Sequence, residues 1–385
     1  MSTSLSTMIR LRAIQNITRK IFEEMNDLQY RLQFHHELSP AGWHLYHGLF
    51  IENYWLHEVI QNNNQFTEDK SLFIPENCAK PERGPRLRPL KQVLAEMAKQ
   101  QDNNALFLLE KTAPLSEHTL FKNEYIENFI IQHYAQHYET IQMVLQQIRI
   151  KSDNGEYQPQ NPLLPAPGNR DVTHIPQGNY RVGGEAPLSY DNELPAHEIP
   201  LNAFYISIHP VSNAEYLYFM QQGGYTDKTL WSDEGWQWLE QHNARHPEHW
   251  KQNAAEQWYG INHQGAFELT SDEPVYGINY FEACAFAKWA GARLPHEHEW
   301  ETAAKLAALS STAKAWEWCS NTFYPYENFQ PFPYDEYSLP WFNNNHYVLK
   351  GGSPHTRPEI KRATFRNFYL PHQRHIFAGL RLVYA

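Results

Sequence analysis

The 385-residue sequence is long enough for two ordinary domains. Apolar residues make up 42% and charged ones 19%, while 23 Tyr, 12 Trp and 21 His stand in for the missing charges. That mix suits a folded protein with aromatic-lined pockets and excludes a disordered one. A formal charge of −11 with no long basic run argues against a nucleic-acid groove, and no run of about 18 apolar residues is present to span a membrane.

Met1 to Arg12 lacks an apolar core followed by a small-residue cleavage site, so no secretory signal is expected. Three cysteines, Cys78, Cys284 and Cys319, are odd in number and widely spaced, with no CxxC pair. This pattern argues against a disulfide framework and against a zinc–thiolate site, and it fits a cytoplasmic setting.

Residues 1–150 read as helices. Met8 to Phe34 carries helical apolar spacing through Ile9, Ile14, Ile17, Ile21, Leu28 and Leu32. Ser39-Pro40 looks like a helix start, a capping serine with proline at the first helical position, and the helix should run from Ala41 to about Gln61. A proline-rich connection, Ile74 to Pro89, precedes a helix from Leu90 to about Gln101 and another helical stretch around Leu106. Ser116 to Ile150 is predicted as one long helix with Ser116 as its cap. Long helices joined by loops predict a four-helix bundle with an interior able to hold a site. Residues 151–170 are rich in Pro, Asn, Gln and Gly, as expected of a linker. Residues 171–385 shift to short strands, aromatics and glycines, with helices at Phe281–Ala290 and Glu297–Leu306 and a final strand at Gly379–Val383, an α+β, loop-rich domain.

In the last bundle helix His133 and His137 lie four residues apart, on one face and within reach of a single metal ion. The second helix offers His44 and His47 in Trp43-His44-Leu45-Tyr46-His47, and spacing alone does not separate them. Ser39-Pro40-Ala41-Gly42-Trp43-His44-Leu45-Tyr46-His47 resembles the SPxxWxLxH string that opens the second helix of DinB-like bundles. That resemblance implies His47 as a ligand beside His133 and His137, with His44 as helix surface or outer partner. Glu139, in HxxxHxE, is a candidate to orient a ligand ring, or an exposed helix glutamate.

The C-terminal half, from about Ile175 to Leu382, resembles the formylglycine-generating-enzyme (sulfatase-modifying factor) fold, and more closely its version in ergothioneine-type sulfoxide synthases. The strings that carry the resemblance include Pro210-Val211-Ser212-Asn213-Ala214-Glu215-Tyr216, Trp289-Ala290-Gly291-Ala292-Arg293-Leu294-Pro295, Trp316-Glu317-Trp318, Lys350-Gly351-Gly352-Ser353 and Ala378-Gly379-Leu380-Arg381. Trp289, Arg293, Trp300 and Trp316 are expected in the aromatic core, and Gly351, Gly352 and Gly379 at tight bends. Cys284 and Cys319 do not look like the reactive pair of the formylglycine-generating branch.

The sulfoxide-synthase resemblance implies a non-haem iron(II) enzyme. Three histidines hold Fe(2+), and O2, a small thiol and a histidine derivative react to form a C–S (or C–Se) bond with sulfur oxidation. Pro333-Tyr334-Asp335-Glu336-Tyr337 resembles the loop with the catalytic tyrosine, which implies Tyr334 as proton donor and Tyr337 as a substrate contact. Asn367 and Phe368 match residues of the histidine-betaine pocket. The family's aspartate for γ-glutamylcysteine falls on Tyr369 and its arginine on Gln373, next to Arg374, which favours a smaller thiol such as cysteine or a selenium donor. Arg83, Arg86 and Arg88 are candidates to hold the thiol substrate's carboxylate by a bidentate pair, or simply a solvated loop. Two other readings use the same residues: a zinc-dependent DinB-type thiol transferase or hydrolase, and a non-catalytic ligand-binding relative.

Overall fold

The computed structural model describes residues 3–65, 69–168 and 171–384, and the polypeptide falls into two units that divide after Lys151. The first is all helical, with four long helices: α1 (Leu5–Glu23), α2 (Ala41–Asn53), α3 (Leu90–Leu109) and α4 (Tyr125–Ser152). Ser4 caps α1 by accepting the Thr7 N–H, and Met8, Leu11, Ile14, Gln15, Thr18 and Phe22 form its buried stripe. The single helix expected through Phe34 stops at Glu23. A short helix, Asp27–Arg31, restarts under a reciprocal Asn26–Gln29 cap. Ile9, Leu28 and Leu32, counted in the apolar spacing, face outward at 60%, 62% and 44% exposure.

Helix α2 is buried all round except at Tyr46 and Ile51, and it continues into a wide π-helical turn over Tyr54–Val59. Ser39 does not cap it. Pro40 takes the capping position without a side-chain bond, and the Ser39 hydroxyl accepts from Arg83 Nη1 at 2.5 Å. Gly48 lets α2 approach α4, because a Cβ there would stand 2.5 Å from the Tyr134 ring. Helix α3 absorbs both stretches predicted around Leu90 and Leu106. Helix α4 starts at Tyr125 rather than Ser116, since Asn123 and Glu124 adopt positive φ (54° and 57°) and break the run; Ser116 ends a one-turn helix, Ala113–Ser116.

One polar group joins all four helices. Glu52 of α2, fully buried, accepts from Gln15 of α1 (2.9 Å), Asn104 of α3 (2.8 Å) and Tyr134 of α4 (2.7 Å). Burial pushes its carboxyl above the usual range, and the three donors pull it back.

The second unit is α+β. Its main sheet has the order β10-β9-β8-β11, built from β8 (Ala315–Thr322), β9 (Tyr347–Gly352), β10 (Asn367–Tyr369) and β11 (Ala378–Gly379). β8 and β9 run antiparallel with a register shift between Trp318 and Thr322, and β11 joins β8 in parallel. Smaller sheets pair β1 (Val172–Ile175) and β12 (Val383–Tyr384) with β4 (Phe204–Ser207), β2 (Gly178–Val182) with β3 (His197–Leu201), and β5 (Trp250–Gln252) and β7 (Gly265–Phe267) with β6 (Trp258–Asn262). The helices α7 (Tyr280–Trp289) and α8 (Glu297–Lys305) lie where the sequence pattern places them. Two more, α5 (Asn213–Gln221) and α6 (Asp233–His242), go beyond it; both start at serine caps.

Trp300 and Trp316 are buried as expected, and Trp289 is half-buried against Phe219 and Phe286. Arg293 is not in the core. It is exposed and forms a two-pronged pair with Glu299, both arms at 2.6 Å. In this unit Arg366 and Arg381 are buried, matched to Glu297 and Glu317 with no side-chain exposure on either side. Gly379 is required by packing: a Cβ would stand 2.1 Å from the Val275 carbonyl. Past Ser152 the stretch expected as a linker has no regular structure but is fastened to its own unit, through Asp153–Tyr259 and Gln160 and Asn161 to Glu268; Asn169 and Arg170 lie outside the described residues.

Replacing Glu52 with Leu strands the Gln15 and Tyr134 donors and should destabilise the helical unit by about 2–4 kcal/mol. Ile9→Ala, on the solvent side of α1, should stay within about 0.5 kcal/mol of wild type. Urea unfolding of the full chain compares the two, and equal losses would contradict the placement of both residues.

Candidate functional site

Helices α2 and α4 bring His47, His133 and His137 together, with one potential ligand nitrogen from each ring all within 4.8 Å of one another. Ring centroids are 5.1 Å apart for His47–His133, 4.7 Å for His47–His137 and 4.5 Å for His133–His137. The α4 pair follows from its four-residue spacing. The third ring arrives because Gly48 and the Glu52–Tyr134 bond hold α2 against α4 beside it.

The orientation of two rings is visible. His47 Nδ1 bonds the Phe73 carbonyl at 2.8 Å, so Nδ1 carries the proton and Nε2 is left with its lone pair. His137 Nδ1 meets His44 Nδ1 at 2.9 Å. Neither Phe73 nor its carbonyl has a sequence signal. Glu139, offered by the sequence as a ring-orienting group or an exposed helix glutamate, is buried in α4. Trp43 stacks on His47 at 4.4 Å and 14°, and Arg83 lies over Trp43 at 4.1 Å.

Burial holds all three imidazoles in the neutral form. It takes His137 down to about 4, and it lowers His47 and His133 well below the ordinary value, helped by the neighbouring histidines. Three neutral nitrogen donors, one with its far nitrogen fixed on a carbonyl, fit a divalent transition-metal ion.

The three arginines of the 80–91 segment are spent on the protein. Arg83 is buried, with Nε on the Cys78 carbonyl (3.0 Å), Nη1 on Ser39 and Nη2 on the Pro75 carbonyl (2.8 Å). It ties this loop to the start of α2, where the sequence offered either a carboxylate-binding arginine or a solvated loop. Arg86 bonds Ser71 through its carbonyl and hydroxyl. Arg88 lies over Tyr46 with Glu96 at 2.5 Å and Asp69 at 3.6 Å, two carboxylates that would compete with a substrate's.

In the second unit the loop with Tyr334 and Tyr337 is pinned at two points. Tyr337 stacks on Tyr190 at 4.5 Å and meets Tyr334 edge-on at 6.2 Å. Asp191 accepts from Ser338 Oγ (2.6 Å) and the Phe332 N–H (3.2 Å), and burial lifts its carboxyl to about 6. Both tyrosines are partly exposed. Asn367, Phe368 and Tyr369 form β10, half-buried, with Phe368 stacked on Phe323 at 4.2 Å. Gln373 accepts the Leu370 N–H (2.9 Å), and Arg374 is enclosed by Glu282 and the Trp238 ring. Cys284 and Cys319 are not disulfide-bonded, and burial raises both thiols, Cys284 to about 11, so neither supplies a ready thiolate.

The second unit defines the class. The sulfatase-modifying factor enzyme 1-like domain family matches residues 160–314 and 311–385. Three relatives are hercynine oxygenases. The protein of Mycolicibacterium smegmatis is 33% identical over 315 residues, 66% of this chain and 70% of that one. The protein of Mycolicibacterium thermoresistibile is 32% identical over 320 residues, 66% and 68%. For Mycobacterium tuberculosis the figures are 34% over 244 residues, 52% of this chain and 57% of the relative, so the match spans little more than half of that protein. The chain belongs to the ergothioneine-type sulfoxide synthase family, with a sulfatase-modifying factor enzyme 1-like domain as its C-terminal half.

Because the buried imidazoles stay neutral while those of the unfolded chain take up protons, the metal-free protein should lose stability as pH falls from 6.5 toward 4. His133→Leu removes one such ring and should flatten that slope, measured as the difference between urea midpoints at pH 7.5 and 5.0. An unchanged or steeper slope would contradict a buried neutral His133.

Proposed function

We propose that this chain is an iron(II)- and O2-dependent sulfoxide synthase that joins the sulfur of a small thiol, or a selenium analogue, to the imidazole carbon of a histidine derivative. The observation that carries the reading is the set of three neutral histidines, in a chain of the hercynine oxygenase family. In balance, one thiol, one imidazole C–H and one O2 give a sulfoxide-bridged product and one water. The C–S bond forms as the S–H and C–H bonds break, and O2 takes up the four electrons released by C–S bond formation and sulfur oxidation.

His47, His133 and His137 would hold the iron, leaving positions open for substrate and O2; the metal supplies the site at which O2 is activated. The chain's own groups do the rest. The Phe73 carbonyl keeps His47 in the tautomer whose Nε2 lone pair would be available to the metal. Tyr334 is the proton donor of the reaction, on a loop that Asp191 and the Tyr337–Tyr190 stack hold in place. Tyr337, Asn367 and Phe368 bind the histidine derivative. At Tyr369 a phenol replaces the carboxylate that would pair with the ammonium group of a γ-glutamyl dipeptide, which favours a smaller thiol such as cysteine or a selenium donor.

Anaerobically purified protein loaded with Fe(II) should consume O2 only when both a histidine betaine and a thiol are present, and a chelator or His47→Ala should reduce the rate at least a hundredfold. No uptake with cysteine, γ-glutamylcysteine or a selenosugar donor would overturn the proposal. Tyr334→Phe should keep O2 uptake but divert it, with the sulfoxide falling at least tenfold and oxidised thiol rising in its place, read by mass spectrometry. A variant with an unchanged product ratio removes Tyr334 from the proton-donor role.

A further inference from the structure

We infer that His44 is a positioning residue for the metal, fixing the ring of His137 through its Nδ1. The inference rests on the metal-binding reading of the three histidines and goes beyond it. His44 lies three residues before His47 on α2, buried, and stands outside the set of mutually close nitrogens formed by His47, His133 and His137. Its ring is 5.2 Å from that of His137, with the two Nδ1 atoms 2.9 Å apart, and Trp43 packs edge-on against it at 5.3 Å.

Two nitrogens at that distance share one hydrogen, and only one arrangement suits a metal site. If His44 donates, the proton of His137 sits on Nε2 and blocks that atom from a cation. If His137 donates, its Nε2 is bare and its ring is held at the angle that the bond dictates. His44 then acts as the acceptor, the part that the Phe73 carbonyl plays for His47. Its own hydrogen moves to Nε2, an atom that is buried and has no hydrogen-bond partner among the described residues. An unpartnered Nε2 is unfavourable in both arrangements, as a buried N–H in one and as a bare acceptor in the other, and a bound cation selects the arrangement in which His137 donates. Helix α2 thereby controls two of the three ligands, His47 by direct attachment and His137 through a neighbour one turn earlier.

The test uses three substitutions that separate the two nitrogens of His44. Asn places an oxygen acceptor near the position of Nδ1, Gln reaches toward the position of Nε2, and Leu offers neither. Full-length metal-free proteins are titrated with Co(II) alone, and affinity is read by competition with a chromophoric chelator together with the visible d–d bands. His44→Leu and His44→Gln should bind Co(II) about 10–100-fold more weakly, with shifted bands. His44→Asn should stay within about threefold of wild type, with its spectrum unchanged. Equal binding by His44→Leu, or rescue by Gln and not by Asn, overturns the inference. Wild type that gives no d–d bands would instead overturn the metal-binding reading itself. Near-ultraviolet circular dichroism of the metal-free forms confirms that the variants fold, and rescue by Asn keeps the test decisive should the Leu variant fail to.

Discussion

The helical unit depends on the close contact between α2 and α4, and that contact depends on Glu52. A carboxyl group with no exposure and no ion pair among the described residues is a costly thing to bury. It is tolerated because each of the other three long helices sends it a donor: Gln15, Asn104 and Tyr134. Its position in the chain matters as much as its bonds. Glu52 lies five residues after His47, and Tyr134 directly follows His133, so the bond that registers the two helices is adjacent in sequence to the ligands it aligns. Gly48 completes the arrangement by leaving the Tyr134 ring room to lie against α2.

A second layer fixes the rings themselves. Arg83, Trp43 and His47 form a stack, and the Phe73 carbonyl pins the far nitrogen of His47. These contacts explain the course of the 75–86 loop. Arg83 uses its guanidinium on two loop carbonyls and on Ser39, so the loop that supports the stack is fastened to the same point at which α2 begins. Of the cationic cluster visible in the sequence, Arg83 is thus a brace for the histidine site. The Tyr334 loop follows the same pattern in its own unit: an aromatic stack on one side, a buried carboxyl on the other.

The sequence made the helix pair legible because α-helical spacing is a local property, and His133 and His137 need only one turn of regular backbone. The third histidine needed the family string, since two helices meeting in space leave no periodic mark. The helix starts were misplaced where a local signal lost to tertiary contacts. Ser39 has the right identity for a cap, but its hydroxyl is taken by Arg83; Ser116 has it too, but two left-handed residues intervene before α4. Arg293 sits in a recognisable string yet points outward, because a carboxylate six residues later satisfies it at the surface. The Phe73 carbonyl could not have been read at all, because a backbone oxygen has no residue identity.

The buried thiols bear on how such a chain would survive its own chemistry. The thiolate, not the thiol, is the nucleophile that reacts with oxidants and attacks disulfides. With Cys284 raised to about 11, its sulfur is almost wholly un-ionised at pH 7, and burial inside β8 raises Cys319 as well. A protein proposed to bring a thiol and O2 together therefore keeps these two sulfurs chemically quiet, and the substrate sulfur meets little competition from them.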